Sequence, residues 1–209
     1  MQSKTIKKIS LSLTIFILMV LLYFFAQDWL QTMDVAVSET VRQWRQPMLD
    51  RFFLTITILA NSNFVTYAVI VIVLVIAIYF KQWLRAIIYG LAIAFGNLTV
   101  NPQIKNWVHR ERPDMNFRMV HEASYSFPSG HAFASAMIYP LIADFLIRNT
   151  PLNTYPRTVY TVTTVLVLLI SFSRIYLGMH YLSDVIAGMS LGYTFYLLTR
   201  DLTDKVLDD

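Results

Sequence analysis

Long runs without a charged residue constrain this sequence more than any other feature. Five such runs cover residues 9–26, 52–80, 86–104, 158–173 and 185–199. Each is near the length that a helix needs to cross the hydrocarbon core of a bilayer. A sixth segment, 132–147, carries a single charge at Asp144. The pattern predicts an all-α polytopic membrane protein with six transmembrane helices.

Composition agrees with this prediction and limits the function classes. The 209 residues are 56% hydrophobic and only 14% charged, well below the charged fraction of about 25% that is typical of soluble domains. No linker, low-complexity stretch or repeat divides the chain, so we expect one membrane-embedded domain over 1–209. A net charge of +4 without a basic and aromatic stripe suits a bilayer or an anionic ligand and gives no support to a nucleic-acid partner. With no cysteine, disulfides and thiolate catalysis are excluded.

The distribution of basic residues predicts the topology. Short cytoplasmic loops tend to collect Lys and Arg. With both termini cytoplasmic, the cations on the cytoplasmic side include Lys81, Arg85, Arg148, Arg157, Arg200 and Lys205. The opposite side also holds many, namely Arg42, Arg45, Arg51, Lys105, Arg110, Arg112, Arg118 and Arg174. Half of this second set belongs to or adjoins three polar blocks, where function overrides the bias.

The three polar blocks cover residues 105–113, 128–131 and 173–184. The first follows the third predicted span, the second begins the fourth, and the last joins the fifth to the sixth. All three therefore face the same side of the membrane, which we expect to be extracytoplasmic. Ionisable groups near lipid indicate a functional site.

The third block contains His180 and Asp184, four residues apart. On one helix face, the carboxylate of Asp184 would accept a hydrogen bond from one ring nitrogen and leave the other available. Such an imidazole is suited to act as a nucleophile, a base or a metal ligand. The structural alternative is a pair that only caps the last helix at the level of the lipid headgroups.

The second block, Pro128–Ser129–Gly130–His131, stands at the predicted start of a helix. Ser129 can cap that helix, Gly130 allows close approach of a ligand, and the first N–H groups favour a phosphate-like anion. His131 would lie beside the anion, where it can transfer a proton. A plain helix cap is the alternative for the first three residues.

Three cations complete the predicted anion site. Arg112 and Arg174 offer planar guanidinium groups suited to phosphate oxygens, and Lys105 adds a point charge. Each could instead extend to lipid headgroups, which is the role that we assign to Arg110 and Arg118. His109 and His121 have no carboxylate at helical spacing and are interpreted as solvated loop residues.

Two further patterns lie outside the blocks. Apolar residues at helical spacing between Met33 and Met48 predict an outer helix that lies in the membrane interface, with a polar face that holds Asp34, Glu39, Arg42 and Arg45. Its roles would be anchoring or the guidance of a lipid substrate. Gly188 and Gly192 form a GxxxG pattern, for which packing within the chain is favoured over a dimer face.

The three blocks together resemble the signatures of the type 2 phosphatidic acid phosphatase superfamily. Residues 105–113 match KxxxxxxRP, residues 128–131 match PSGH, and residues 173–184 match SRxxxxxHxxxD. The resemblance implies a helical core like that of the related acid phosphatases and vanadium haloperoxidases. It identifies the chain as similar to integral membrane lipid phosphate phosphatases.

The resemblance also implies roles for the residues. His180 would attack phosphorus and become a phosphohistidine, Asp184 would orient it, and His131 would protonate the departing oxygen and then activate water. The phosphoryl oxygens would be held by Lys105, Arg112, Ser129, Gly130 and Arg174. The implied enzyme is a hydrolase of phosphoric monoesters or pyrophosphates that needs neither a metal nor a cofactor.

The resemblance does not separate lipid substrates. We expect phosphatidylglycerophosphate to be hydrolysed, with tolerance of phosphatidate, at the outer face of a bacterial cell membrane. Undecaprenyl pyrophosphate is the alternative, because its terminal phosphate presents the same group. A haloperoxidase is disfavoured by the six apolar spans. A non-catalytic lipid-phosphate binder or transporter is disfavoured because binding alone does not need an oriented nucleophile.

Overall fold

Helices form the whole secondary structure of the part of the chain, residues 3–208, that the computed structural model describes. Eight principal helices follow one another: α1 Ser3–Phe25, α2 Gln27–Arg42, α3 Pro47–Ile58, α4 Ser62–Tyr79, α5 Trp83–Val108, α6 Gly130–Asn149, α7 Pro156–Tyr176 and α8 Leu182–Asp208. The end of α4, Val75–Tyr79, and the middle of α5, Phe95–Val100, are π-helical. Short 3-10 helices occupy Met115–Phe117 and Pro151–Thr154. The predicted all-α fold is confirmed.

Five of these helices, α1, α4, α5, α6 and α7, are long and apolar enough to cross a membrane. The sixth predicted span corresponds to α8, which has 27 residues but carries a cluster of charges in its second half. This helix packs against α6 and α1. Much of the surface of α8 is therefore covered by protein and not by lipid, so this helix can be less apolar than the other spans.

The run 52–80 was predicted as one span, and the structure divides it into two helices. α3 ends at Ile58, and α4 begins at Ser62. The side chain of Asn61 accepts a hydrogen bond from the backbone N–H of Asn63 at 3.1 Å. This is an N-terminal cap, and it allows a new helix to start within an uncharged run.

The predicted interfacial helix is shorter than expected. α2 ends at Arg42, so Trp44 and Met48 lie beyond it, and both side chains are exposed. Asp34, assigned to the polar face, is only 2% exposed. One polar side chain of α2 thus faces the interior of the protein.

The core of the bundle lies along α6. Phe133, Met137 and Leu141 are fully buried there. α8 crosses α6 closely at its two glycines, since a Cβ atom at Gly188 would lie 2.4 Å from the carbonyl oxygen of Ser129 and one at Gly192 would lie 2.2 Å from that of Phe133. The GxxxG pattern therefore serves packing within the chain.

A charged cluster ties α6, α7 and α8 together at the other end of the bundle. Asp144 is 2% exposed and accepts hydrogen bonds from Tyr160 at 2.5 Å and Tyr196 at 2.8 Å. The Nε of Arg200 lies 3.2 Å from the same carboxylate. Asp144 is the one charge of its predicted span, and these contacts neutralise it.

Candidate active site

The three polar blocks converge at one end of the bundle. Lys105 lies in the last turn of α5, Arg174 in the last turn of α7, and Asp184 in the first turn of α8. Lys105 and Arg174 line a cavity of about 600 Å³, and Asp184 is buried behind it. Its charged and imidazole lining consists of Lys105, Arg112, Glu122, His131, Arg174 and His180. Three cations therefore face one carboxylate, which gives the cavity an excess of positive charge suited to an anion.

The loop between α7 and α8 holds His180, which is 2% exposed. A guanidinium nitrogen of Arg112 lies 3.1 Å from its Nε2, and the Oγ of Ser126 lies 3.3 Å from its Nδ1. Since a guanidinium can only donate, Nε2 must be the acceptor and must carry a lone pair. The proton of the neutral ring is then on Nδ1, and it points to Ser126.

The expected direct hydrogen bond between His180 and Asp184 is absent. The Nδ1 of His180 lies 3.6 Å from the Oδ2 of Asp184, which is too long for such a bond. Ser126 instead donates to that oxygen at 2.6 Å and accepts from the imidazole. His180 precedes α8, so the two residues do not share a helix face, and the hydroxyl fills the resulting gap.

Burial is the main cause that holds the pKa of His180 well below its ordinary value, and the positive charges of Lys105, Arg112 and Arg174 lower it further. Both effects disfavour a positive charge on the ring. The imidazole is therefore neutral at pH 7. A neutral imidazole with a lone pair at Nε2 is the form that can act as a nucleophile.

The backbone of the loop before α6 positions two of the three cations. The ammonium group of Lys105 donates to the carbonyl of Tyr125 at 2.6 Å. Arg112 donates to the carbonyls of Ser124 at 2.6 Å and of Met179 at 2.9 Å. These neutral acceptors orient the side chains without cancelling their charge.

Two contacts complete the charged lining. Arg174 is 3% exposed, and one guanidinium nitrogen donates to the Thr57 hydroxyl at 2.7 Å. Glu122 is the carboxylate of the cavity. Burial raises its pKa, but the hydrogen bond from the backbone of Ser124 and the charge of Arg112 outweigh burial and lower it. Glu122 thus contributes one negative charge to the cavity against three cations, and positive charge remains in excess at neutral pH.

The second block forms the start of α6 as predicted. Ser129 is the N-cap residue, and Gly130 and His131 line the cavity. The N–H groups of the first helical turn have no acceptor within the helix and can bind an anion. The Ser129 hydroxyl makes no capping bond and, among the described residues, has no hydrogen-bond partner.

Asn101 is a site residue that the sequence reasoning missed. It is 4% exposed and lines the cavity, and its Nδ2 has no acceptor within residues 3–208. A buried amide donor without a partner is unfavourable unless a ligand supplies an acceptor. The only sequence signal was its place one turn before Lys105.

Arg110 was assigned to lipid headgroups, and that interpretation is wrong. Its side chain is buried and forms ion pairs of 2.7 Å with both Asp34 and Asp184. It also donates to the Ser183 hydroxyl at 2.7 Å. Burial lowers its pKa, but the two carboxylates outweigh burial and raise it. Arg110 thus pairs with Asp184 and connects α2 to the start of α8.

The remaining loop residues have local roles. His109 and His121 are exposed, in agreement with their assignment as solvated residues. Arg118 is half-buried and donates to the carbonyl of Pro113 at 2.6 Å. It therefore supports the loop of the first block, and its predicted headgroup contact is replaced by a backbone contact.

Comparison with known proteins gives consistent matches. Phosphatidylglycerophosphatase B of Bacillus subtilis (strain 168) is 35% identical over 180 residues, which cover 84% of this chain and 86% of that protein. Lipid A 1-phosphatase of Rhizobium johnstonii is 32% identical over 130 residues, or 57% of this chain and 48% of that protein.

Structural comparison extends the likeness over almost the whole chain. The crystal structure of a transmembrane PAP2-type phosphatidylglycerolphosphate phosphatase from Bacillus subtilis superposes with a TM-score of 0.86. It is 34% identical, and the match covers 96% of this chain and 97% of that one. Residues 85–207, which hold all three polar blocks, match the PAP2 superfamily. The family predicted from the blocks is confirmed, and the chain belongs to the PAP2 superfamily.

Proposed function

We propose that this protein is a membrane lipid phosphatase that removes the terminal phosphate of phosphatidylglycerophosphate through a phosphohistidine at His180. The observation that carries the proposal is the state of that imidazole. Its neutral ring presents a lone pair into a cavity that also holds Lys105, Arg112 and Arg174. A cavity of this kind attracts a phosphate and offers it a nucleophile.

In the first step, the phosphate oxygens bind the three cations and the N–H groups at the start of α6. The Nε2 of His180 forms a bond to phosphorus while the bond from phosphorus to the ester oxygen breaks. Once the anionic phosphate has bound beside it, His131 enters the step protonated and donates this proton to the departing oxygen, which leaves as the lipid alcohol. Fixed positive charge around the phosphoryl group stabilises the charge that develops in the transition state.

The hydrogen bonds from His180 to Ser126 and from Ser126 to Asp184 form a relay, and this relay acts in the first step. When Nε2 bonds to phosphorus, the ring still carries the proton on Nδ1 and becomes positively charged. The proton points to Ser126, whose own proton points to Asp184. The carboxylate therefore stabilises the new charge through one hydroxyl group.

In the second step, His131 accepts a proton from a water molecule. The water oxygen bonds to phosphorus, and the bond from phosphorus to Nε2 breaks. Inorganic phosphate leaves, and His180 returns to its neutral form. His131 regains the proton that it donated in the first step, so the cycle is balanced.

An apolar cavity beside the site supports a lipid substrate. It has a volume of about 280 Å³ and is lined by residues of α4, α6 and α7 and by Leu59 and Ala60, which follow α3. Ala60, Val65 and Ala134 line both this cavity and the catalytic one. A phosphate in the catalytic cavity would therefore place the start of an acyl or prenyl chain at an apolar surface.

The choice of phosphatidylglycerophosphate is supported by the Bacillus subtilis matches in sequence and in structure, whose names carry this substrate. A panel of purified lipids tests it, because discrimination is measured by kcat/KM. We expect the highest ratio for phosphatidylglycerophosphate, followed by phosphatidate. A higher ratio for undecaprenyl pyrophosphate would transfer the assignment to that alternative.

The central test of the chemistry compares two histidines. His180→Ala should abolish phosphate release, because the nucleophile is removed, whereas His109→Ala should retain it, because His109 is exposed in a loop. Brief incubation with substrate labelled in the terminal phosphate should leave acid-labile label on the wild type and none on His180→Ala. Lipid binding without label or phosphate release would show a non-catalytic binder.

A chelator tests the proposed independence from metal ions. Washed membranes should release phosphate at an unchanged rate in EDTA. Loss of activity in EDTA and its return with a divalent ion would contradict a mechanism that relies on amino-acid side chains alone. We further propose that the site faces the outside of a bacterial cell membrane, with both termini cytoplasmic, from the distribution of Lys and Arg.

A further inference from the structure

A second cationic pocket, which we call the distal pocket, lies at the end of the bundle away from the active site. It is a cavity of about 580 Å³ whose lining includes Lys81, Gln82, Trp83, Arg85, Arg148 and Leu207. Arg85 and Lys105 are twenty residues apart on α5, which corresponds to about 30 Å at the rise of a helix. That separation is close to the thickness of the hydrocarbon core, so the two sites lie at opposite faces of the membrane.

The lining of the distal pocket contains three cations and no carboxylate. Arg148 is neutralised by Asp204, whose carboxylate lies 2.7 Å from its guanidinium. Lys81 and Arg85 form no ion pair with any residue of the described chain. Their charges are therefore available to an anion that enters the pocket.

Arg85 supplies the second, independent indication of a ligand. It is 8% exposed, and its Nε is shielded from solvent without an acceptor in residues 3–208. The Oε1 of the adjacent Gln82 is also buried without a donor, although its Nε2 donates to Asn149 at 2.5 Å. A buried guanidinium without an anion is unfavourable, and a phosphate group would satisfy it with paired hydrogen bonds.

The surroundings of the pocket indicate which phosphate. Trp83 is 60% exposed and Leu207 is 36% exposed at its rim. Exposed tryptophan beside basic residues is typical of the interface between headgroups and acyl chains. A phospholipid can place its phosphate on Arg85 and Lys81 and its chains along this apolar rim.

We propose that the distal pocket binds the headgroup phosphate of an anionic phospholipid from the leaflet opposite the active site. Its occupant is a bound lipid rather than a substrate, since the nucleophile lies at the other end of the bundle. The proposal does not depend on the proposed function, because it concerns binding at a site without a catalytic group.

The test uses the fluorescence of Trp83 in a variant in which Trp29, Trp44 and Trp107 are replaced by Phe. The protein is reconstituted in phosphatidylcholine vesicles that contain phosphatidylglycerol brominated near the headgroup, which quenches nearby tryptophan. We expect this lipid to quench Trp83 at a mole fraction on the order of tenfold lower than brominated phosphatidylcholine requires.

The variant Lys81→Gln/Arg85→Gln should lose this selectivity. The matched control Arg157→Gln/Lys205→Gln removes two charges at the same end of the molecule but outside the pocket, and it should keep the selectivity. Unfolding temperatures show whether each variant is folded, and Arg85→Lys serves as a milder change if the double variant is not.

Four outcomes would overturn the proposal. Equal quenching by the two brominated lipids, or equal loss in the pocket variant and its control, would leave only general attraction to an anionic surface. If inorganic phosphate abolished the quenching of Trp83 by brominated phosphatidylglycerol, and chloride at equal ionic strength did not, free phosphate would be identified as the ligand. Selectivity that emerges only in Asp208→Asn/Asp209→Asn would show that the chain's own acidic end occupies the pocket.

Discussion

At the scale of single residues, the arrangement of His180 depends on a hydroxyl group that belongs to none of the three motifs. Ser126 donates to Asp184 at 2.6 Å and lies 3.3 Å from the imidazole. Its side chain accepts the ring proton on Nδ1 and so keeps the lone pair on Nε2, where a phosphate would have to displace the hydrogen bond from Arg112. Ser126 is therefore a positioning residue, because it acts on the substrate only through His180.

Removal of this hydroxyl tests the relay. Ser126→Ala should lower kcat by about one to two orders of magnitude, because the charged ring that forms on attack loses its link to Asp184. KM should change little, since the cations that hold phosphate remain in place. Ser126→Thr, which retains a hydroxyl, should restore part of kcat.

A control separates this effect from general loss of packing. Ser190 is also buried, and its hydroxyl donates to the carbonyl of Ile186 at 2.8 Å, within α8 and outside the linings of both cavities. Ser190→Ala should leave kcat within about twofold of the wild type. Equal rates for Ser126→Ala and wild type would show that Asp184 acts on His180 without the hydroxyl.

The lowered pKa of His180 gives a prediction for its protonation. In the unfolded chain a histidine binds a proton near pH 6.5, whereas burial and three cations make the folded protein resist that proton. The imidazole should thus remain neutral at pH 6.5. Acidification below that pH should favour unfolding, because the unfolded chain binds more protons there.

Nuclear magnetic resonance of protein labelled with ¹³C in histidine can measure this. The His180 signal is identified by its disappearance in His180→Ala, and we expect it to shift only well below pH 6.5. A midpoint at or above pH 6.5 would mean that the ring is charged when the site is empty and that the proposed nucleophile is mainly blocked.

The sequence predicted the site residues that recur in motifs and missed those that act through tertiary contact. Lys105, Arg112 and His180 lie together as the spacing implied. The burial of Arg110 could not be foreseen, because its partner Asp34 is 76 residues away and belonged to an apparently solvated helix face. Long-range pairing of charges leaves no periodic pattern in a single sequence.

At the scale of helices, the contact between α6 and α8 positions the site. Gly192 lies against the backbone of Phe133, and Gly188 lies against that of Ser129, at the start of α6. The first turn of α6 carries Gly130 and His131 into the cavity. The distance between α6 and α8 therefore determines the position of the anion-binding N–H groups.

A methyl group at this contact should move the two helices apart. In Gly192→Ala the added Cβ would lie 2.2 Å from the carbonyl oxygen of Phe133. We expect a loss of about 1–3 kcal/mol in the free energy of unfolding, as in other overpacked cores. A decrease in kcat should accompany it, because α6 carries His131.

The matched control is Gly90→Ala on α5, where the new Cβ would lie 3.6 Å from Val73, an ordinary contact. It should preserve activity and keep or slightly raise stability, since alanine favours a helix over glycine. Thermal unfolding in detergent and phosphate release measure both variants. Equal stability of the two variants would contradict the tight contact between α6 and α8.

The helices were predictable from uncharged runs, but their boundaries were not. Hydropathy joins 52–80 into one run because Asn61 and Ser62 carry no charge, yet they form the cap at which α4 begins. For α8 the predicted span was too short, whereas for 52–80 it was too long. Burial against α1 and α6 permits a polar second half that the apolar run 185–199 did not include.

For the whole molecule, the cations of the polar blocks are buried, whereas at the other end Arg85 is buried and the exposed basic residues include Lys81, Arg148, Arg157 and Lys205. At the catalytic end Lys105, Arg110, Arg112 and Arg174 are all buried, with 9% exposure or less. Their positions are therefore determined by contacts within the site. At the other end Arg157 and Lys205 are exposed, as expected of residues that respond to the cytoplasmic preference for positive charge.

This difference supports the orientation with the catalytic end outside, which can be tested because the chain has no cysteine. A single cysteine at Met48, which is 80% exposed near the catalytic end, should react in intact cells with a maleimide that does not cross membranes. A cysteine at Thr154, exposed in the loop between α6 and α7, should react only after permeabilisation. The reverse pattern would place the active site in the cytoplasm, and the substrate would then be hydrolysed in the inner leaflet. Labelling of both cysteines in intact cells would instead show mixed orientation, which is the expected result if the buried cations of the catalytic end counted equally with the exposed ones during insertion.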